Sequence, residues 1–261
     1  MVKNFGKFCF AFIITNSLIS FHLFSSLWQR RQIIENDINF SFFIKIGEVE
    51  LVKILGVDTS NKIASVAVYE NGKILGEKFS DDQKTHSEKV LPIIDELLKE
   101  INIQIKEIDQ FVVCTGPGSF TGIRIGVSLV KGMAEGLGKR VIGVTSLQGL
   151  LNSTLENSCA VIDARHENVY AQYKINGKYS EARCMNIQEL ITELPQAKIT
   201  FVGDAVNVHK EIIEKSNYKI NDEKQIQSAS DLIDYAIKNN LEAKNPEEVN
   251  PVYLRKAQPE R

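Results

Sequence analysis

The residues best suited to chemistry lie in one run, Thr115-Gly116-Pro117-Gly118-Ser119-Phe120-Thr121-Gly122-Ile123-Arg124-Ile125-Gly126. The apolar stretch Phe111-Val112-Val113-Cys114 before it reads as a buried strand, and residues 119–137 after it read as a helix. A strand, a glycine-rich turn and a helix in that order can cradle an anion, because the free N–H groups and dipole of the helix start point outward. Pro117 fixes one backbone angle, and Gly116 and Gly118 admit angles that other residues resist. Ser119 or Thr121 is placed to cap the helix. Arg124, in the first turn, suits a loop anchor or a partner carboxylate. The run is neither a Walker A loop, since no Gly-Lys-Ser/Thr ends it, nor a dinucleotide fingerprint, since Gly116, Gly118 and Gly122 have the wrong spacing. A tight structural turn is the plain alternative.

The other chemistry-bearing residues are scattered. Asp58-Thr59-Ser60 ends an apolar strand with a carboxylate and two hydroxyls, whereas the matching Asp163-Ala164-Arg165 has no glycine or hydroxyl. A phosphate gripped from one side only is held poorly, so Asp58 is read as a hairpin-capping residue. His22, His86, His166 and His209 stand apart, and Val90 occupies the position four after His86, so no metal site is expected. Ser119 lacks the Gly-x-Ser-x-Gly setting of a hydrolase nucleophile. Cys9, Cys114, Cys159 and Cys184 are too widely spaced for zinc or thiol exchange. Cys114 and Cys159 sit in apolar runs, as buried, reduced thiols of a cytoplasmic protein would. A formal net charge of -2 gives no general attraction to nucleic acid.

The elements that position these residues form a repeat. Strands are expected at 53–58, 63–69 and 73–79, a helix at 86–101, a strand at 111–114, the glycine-rich turn and helix, a strand at 140–144, and a helix opened by Thr145-Ser146. The pattern then restarts with strands at 160–163 and 169–175. Asn71-Gly72-Lys73 lies 13 to 15 residues after Asp58, and Asn176-Gly177-Lys178 lies 13 to 15 residues after Asp163. Identical turns at identical offsets argue for duplication of one supersecondary unit. Helices at 187–194, 205–215 and 230–239, a strand at 199–202 and an extended tail complete the chain. The expected fold is α/β, with two similar lobes of mixed sheet and helices, at 52–150 and 151–261. Residues 1–51 differ: the apolar stretch 8–28 is interrupted by polar residues, and residues 32–51 show no clean period. They are read as sequence upstream of the true start, with a membrane anchor as the alternative.

Duplicated three-strand lobes with an aspartate at the first hairpin resemble the superfamily of actin, sugar kinases and heat-shock chaperones, with its ribonuclease H-like lobes. Within it, five stretches resemble the TsaB family, also called YeaZ. They are Ile54-Leu55-Gly56-Val57-Asp58-Thr59-Ser60, Thr85-His86-Ser87-Glu88, the run from Gly116 to Gly126, Val161-Ile162-Asp163-Ala164-Arg165, and Pro251-Val252-Tyr253-Leu254-Arg255. The resemblance implies a non-catalytic subunit of the complex that makes N6-threonylcarbamoyladenosine in tRNA. It implies no tightly bound cofactor here, with ATP and metal on partner subunits: TsaD, which transfers the threonylcarbamoyl group, and the ATPase TsaE. The tRNA is met through the complex, and a membrane is not expected.

The resemblance also implies that the helices at 86–101 and 119–137 pack against their counterparts in TsaD or in a second copy of the chain. The contacts expected are Val90, Ile94, Leu97, Leu98, Phe120, Ile123, Val127, Val130 and Met133. Leu97→Glu or Val130→Glu should then break association while leaving the monomer folded. An ATP-dependent phosphotransferase of the same superfamily competes on fold analogy, and the degraded second hairpin opposes it.

Overall fold

The computed structural model describes residues 52–80, 85–152, 157–195, 197–221 and 223–254. The apolar stretch 8–28 and the rest of 1–51 lie outside the described residues. In the first half, β1 (Lys53–Asp58), β2 (Ser65–Glu70) and β3 (Lys73–Phe79) form an antiparallel meander. Asn71 and Gly72 take φ of 50° and 86°, the paired left-handed residues of a two-residue hairpin turn. Helix α1 (His86–Glu100) leads to β4 (Gln110–Cys114), and α2 (Phe120–Leu137) leads to β5 (Arg140–Val144). Both of these strands run parallel to β1, giving the order β3-β2-β1-β4-β5.

The second half repeats this plan. After α3 (Ser146–Leu151) come β6 (Ser158–Asp163), β7 (Asn168–Ile175), β8 (Lys178–Tyr179), β9 (Arg183–Asn186) and α4 (Ile187–Glu193). Next are β10 (Thr200–Val202), α5 (Ala205–Val208), α6 (Lys210–Lys215), β11 (Lys219–Ile220) and α7 (Ala229–Lys238). The order β11-β10-β6-β7-β8, with β9 also on β7, is the first sheet's order read from the other edge. Strand senses match too: β6 is antiparallel to β7 and parallel to β10. Asn176 and Gly177 take φ of 50° and 76°, so the repeated turn is repeated in backbone geometry as well as in residue type.

Some local expectations shift. The second strand starts at Ser65 rather than at residue 63, and the helix expected over 205–215 breaks at His209, where φ reaches -113°. Strands β9 and β11 and the 3-10 turn Pro246–Glu248 are too short to carry a hydrophobic period.

Each sheet is apolar on both faces. Leu55, Val57, Val66, Val68, Phe111 and Val113 meet α1 and α2, while Ile54, Ala67, Val112, Cys114, Ile142 and Val144 meet α7. In the second sheet Cys159, Val161, Val169 and Ala171 pack on α4, α5 and α6, and Ala160, Ile162 and Val202 pack on α3. The helices that end the two halves are therefore exchanged. Helix α3 lies on the second sheet, α7 lies on the first, and the two touch each other. The expected division at 150/151 is not a packing boundary, since the described residues from Val52 to Leu254 belong to one compact unit.

Polar bonds fix where α7 lands. Ala229 N donates to Ser65 Oγ at 2.8 Å, Ser230 N to Glu77 Oε1 at 2.9 Å and Ser230 Oγ to Glu77 Oε2 at 3.0 Å. A carboxylate from β3 thus sits at the positive end of the helix, where negative charge is favoured. Glu77→Ala should lower stability to urea by about 1–2 kcal/mol, the usual cost of losing a helix cap. Glu77→Gln, which keeps one acceptor, should lose less.

Candidate functional site

The fold brings the glycine-rich run and the first hairpin together, and they close on each other. Thr59 Oγ1 donates to the Gly122 carbonyl at 2.7 Å, inside the first turn of α2. Ser119 N donates to the Ser60 carbonyl at 2.8 Å, and Ser119 Oγ accepts from Gly122 N as the helix cap. Ser60 N donates to Asp58 Oδ1 at 2.8 Å. A Cβ at Gly122 would strike the Thr59 carbonyl, and one at Gly126 would strike the Thr59 hydroxyl. The glycines let the hairpin lie against the helix; they do not open a space for phosphate. Gly116 belongs to the same knot, since its carbonyl accepts from Ser146 N at 3.0 Å. A Cβ at Gly118 would crowd Ser60, and Thr121 stays exposed.

A residue that sequence reasoning missed fills what remains. Gln227, just before α7, donates through Nε2 to Asp58 Oδ2 at 2.9 Å and to Ser60 Oγ at 2.7 Å. The bonded pair lies 169 residues apart in the chain, and no local pattern announces it. Asp58, Thr59, Ser60 and Gln227 are all buried. Burial pushes the Asp58 carboxyl above its ordinary pKa, and hydrogen bonds from Ser60 and Gln227 offset part of that rise. Burial also pushes the Cys114 and Cys159 thiols up, which leaves them protonated and unreactive.

The second hairpin keeps the turn and lacks the chemistry. Arg165 N donates to Asp163 Oδ1 at 2.8 Å, the counterpart of the Ser60–Asp58 bond. Asp163 is exposed, and residues 165–167 bend through three left-handed positions with φ of 63°, 52° and 61°. His86 opens α1, His166 lies at this exposed tip and His209 at the α5–α6 break. Among the described residues no group of three His, Cys, Asp or Glu side chains is arranged to hold a metal ion.

The two helices expected to meet a partner require a correction. Val90, Ile94, Leu97 and Leu98 of α1 and Ile123, Val127 and Val130 of α2 are buried in the chain's own core. The broadest apolar stripe of each helix faces the sheet, whose near face is itself apolar and must be covered. A charge at Leu97 or Val130 would enter that core, so those substitutions report on folding rather than on association. Met133 is half-buried, and Phe120 is 54% exposed. The outward face of α2 carries Thr121, Arg124, Ser128, Gly132, Glu135 and Gly136, with Ile125 and Leu129 half-buried. A Cβ at Gly132 or Gly136 would meet nothing within 4 Å. On α1, Leu91 is exposed. Small and apolar side chains on an exposed helix leave room for another helix to approach closely.

At the start of α2 the tail returns. Val252 N donates to the Thr115 carbonyl at 2.8 Å, and the Lys131 ammonium donates to the carbonyls of Glu247 and Val249 at 3.3 and 3.0 Å. This brings Tyr253 to Arg124, whose Nε donates to the Tyr253 hydroxyl at 2.8 Å. The Arg124 guanidinium carbon lies 3.8 Å from the centre of the Phe120 ring, and the two aromatic rings are 5.4 Å apart.

Known proteins resemble this chain in sequence and fold. Residues 73–256 match the family described as TsaD: tRNA N6-adenosine threonylcarbamoyltransferase. The tRNA threonylcarbamoyladenosine biosynthesis protein TsaB of Bacillus subtilis is 31% identical over 173 residues, 62% of this chain and 75% of that protein. The protein of the same name from Haemophilus influenzae is 34% identical over 131 residues, 48% of this chain and 55% of its own length. The solved structure of YeaZ from Pseudomonas aeruginosa has a TM-score of 0.67 at 24% identity, over 78% of this chain and 100% of that one. The likeness to that structure bears out the expected two-lobed actin-like α/β fold.

The buried carboxylate makes stability depend on pH. A carboxyl whose pKa rises on folding binds its proton more tightly in the native chain, so stability falls as pH climbs from the ordinary carboxylate range towards the raised value. Asp58→Asn removes that slope and keeps an acceptor for the Ser60 N–H. Urea midpoints measured from about pH 4 to 7 should show the variant gaining on the parent as pH rises. A constant difference would mean that Asp58 titrates alike in both states.

Proposed function

This chain belongs to the TsaB (YeaZ) branch of the family just described, and from that premise we propose that it is a non-catalytic subunit of the machinery that builds N6-threonylcarbamoyladenosine in tRNA. The outward face of α2 docks on a TsaD-like subunit, which supplies the metal and the transfer chemistry. A TsaE-like ATPase joins the pair, and a second copy of this chain competes for the same face. The tRNA is engaged through the assembled complex, in the cytoplasm.

One observation carries the non-catalytic part. The hairpin Asp58-Thr59-Ser60, which a nucleotide-using member of the superfamily would turn towards phosphate, is bonded to Gly122, Ser119 and Gln227 of the same chain. The second hairpin offers no hydroxyl in its place. A phosphate clamp built from both lobes is therefore filled on one side and bare on the other. The same observation weighs against the phosphotransferase alternative, which tight, magnesium-dependent ATP binding by the isolated chain would revive.

The test is reconstitution of the full chain with TsaD-like and TsaE-like subunits, threonylcarbamoyl-adenylate and unmodified tRNA, with the modified nucleoside read by mass spectrometry. Product should form only when this chain is present, and none should form from the chain alone. Equal product without it overturns the assignment. Two variants at Gly132 then separate folding from docking, since the position is helical, exposed and open. Gly132→Ala should raise monomer stability by about 0.5–1 kcal/mol. Gly132→Leu should leave the monomer folded while weakening both partner binding and product formation.

A further inference from the structure

We propose that Phe120, Arg124 and Tyr253 form a preset clamp that binds one carboxylate, an aspartate or glutamate side chain of the subunit docked on α2. The inference deepens the preceding one and rests on α2 facing a partner. Arg124 lies one helical turn after Phe120, so the two side chains stack, and the Tyr253 hydroxyl accepts the Nε proton. This fixes the guanidinium plane before any ligand arrives. The side-chain entropy that a free arginine would lose on binding is already lost here. With Nε bonded to Tyr253, the two terminal NH2 groups form the remaining edge, and that edge matches a carboxylate in a two-bond fork. Among the described residues no carboxylate forms an ion pair with Arg124, although it is exposed.

The surroundings select the ligand. Phe120 is 54% and Tyr253 50% exposed, so an arginine stacked on one aromatic ring and bonded to the hydroxyl of another stands at the surface, and such residues are enriched among those that carry most binding energy in protein interfaces. An RNA backbone would call for several cations in a row. Here the neighbouring exposed residues of α2 are Thr121, Ser128 and Gly132, and Lys131 is turned to the carbonyls of Glu247 and Val249. Among the described residues of α2 and the tail, Arg124 is the guanidinium set at this surface, and one oriented guanidinium fits one carboxylate. The clamp is not needed to hold the tail, which Val252, Lys131 and buried Val249 already fasten.

Calorimetric titration of the full chain with the TsaD-like subunit tests this. Arg124→Ala should weaken binding about 30-fold, the effect of an interface hot spot. Arg124→Lys should recover little, because an ammonium cannot form the fork. Tyr253→Phe, which keeps the ring and loses the acceptor, should fall between them and the parent. Urea midpoints near the parent's will show that the variants fold. Parent-like affinity in both Arg124 variants overturns the clamp; if Gly132→Leu still blocks binding, the partner face stands without it. If neither position matters, the partner-face assignment fails and the clamp with it. Weaker tRNA retention by the complex at unchanged subunit affinity would assign Arg124 to RNA and overturn the carboxylate.

Discussion

The fold depends on one requirement: each mixed sheet is apolar on both faces, so both have to be covered. Each half of the chain covers one face of its sheet with its own helices and leaves the other to its neighbour. Helix α3 crosses to the second sheet and α7 to the first, so neither half is complete alone. Glu77 and Ser65 make the crossing specific by meeting the start of α7 with a carboxylate and a hydroxyl. The two halves of matching strand order become one compact body through this exchange.

The exchange also shapes the site. Because α7 docks on the first sheet, Gln227 just ahead of it is carried onto Asp58 and Ser60. From the other side α2 presses its glycines against Thr59. The hairpin Asp58-Thr59-Ser60 is thereby packed as core. Fold alone does not assign function. Here the same strand-turn-helix geometry that suits an anion is closed by the chain's own hydrogen bonds.

Helix α2 has two characters. Its inner face, with Ile123, Val127, Val130 and Ala134, completes the core. Its outer face combines small residues with the aromatic–arginine cluster that the tail assembles at its first turn. The tail also pairs with the edge strand β5 through Val141 and Lys244, so an exposed sheet edge is covered on the way. One segment thus protects the sheet and finishes the surface around Arg124.

Much of this was legible in the residues. The boundaries of β1, β3 and β5 coincide with their apolar patterns, and α1 and α2 agree within a residue. The matched Asp and Asn-Gly spacings disclosed a duplicated topology that the two sheets bear out. These features are governed by neighbours a few positions apart: turn angles by residue type, and helix or strand by period. The outward side of α1 and α2 was not legible, because both helices carry apolar residues on more than one face and the sheet claims the larger stripe. Nor were Gln227 on Asp58 or Tyr253 on Arg124, pairs 169 and 129 residues apart. Such pairs exist only once distant elements are packed, since burial and the choice of hydrogen-bond partner depend on what lies across the interface rather than along the chain.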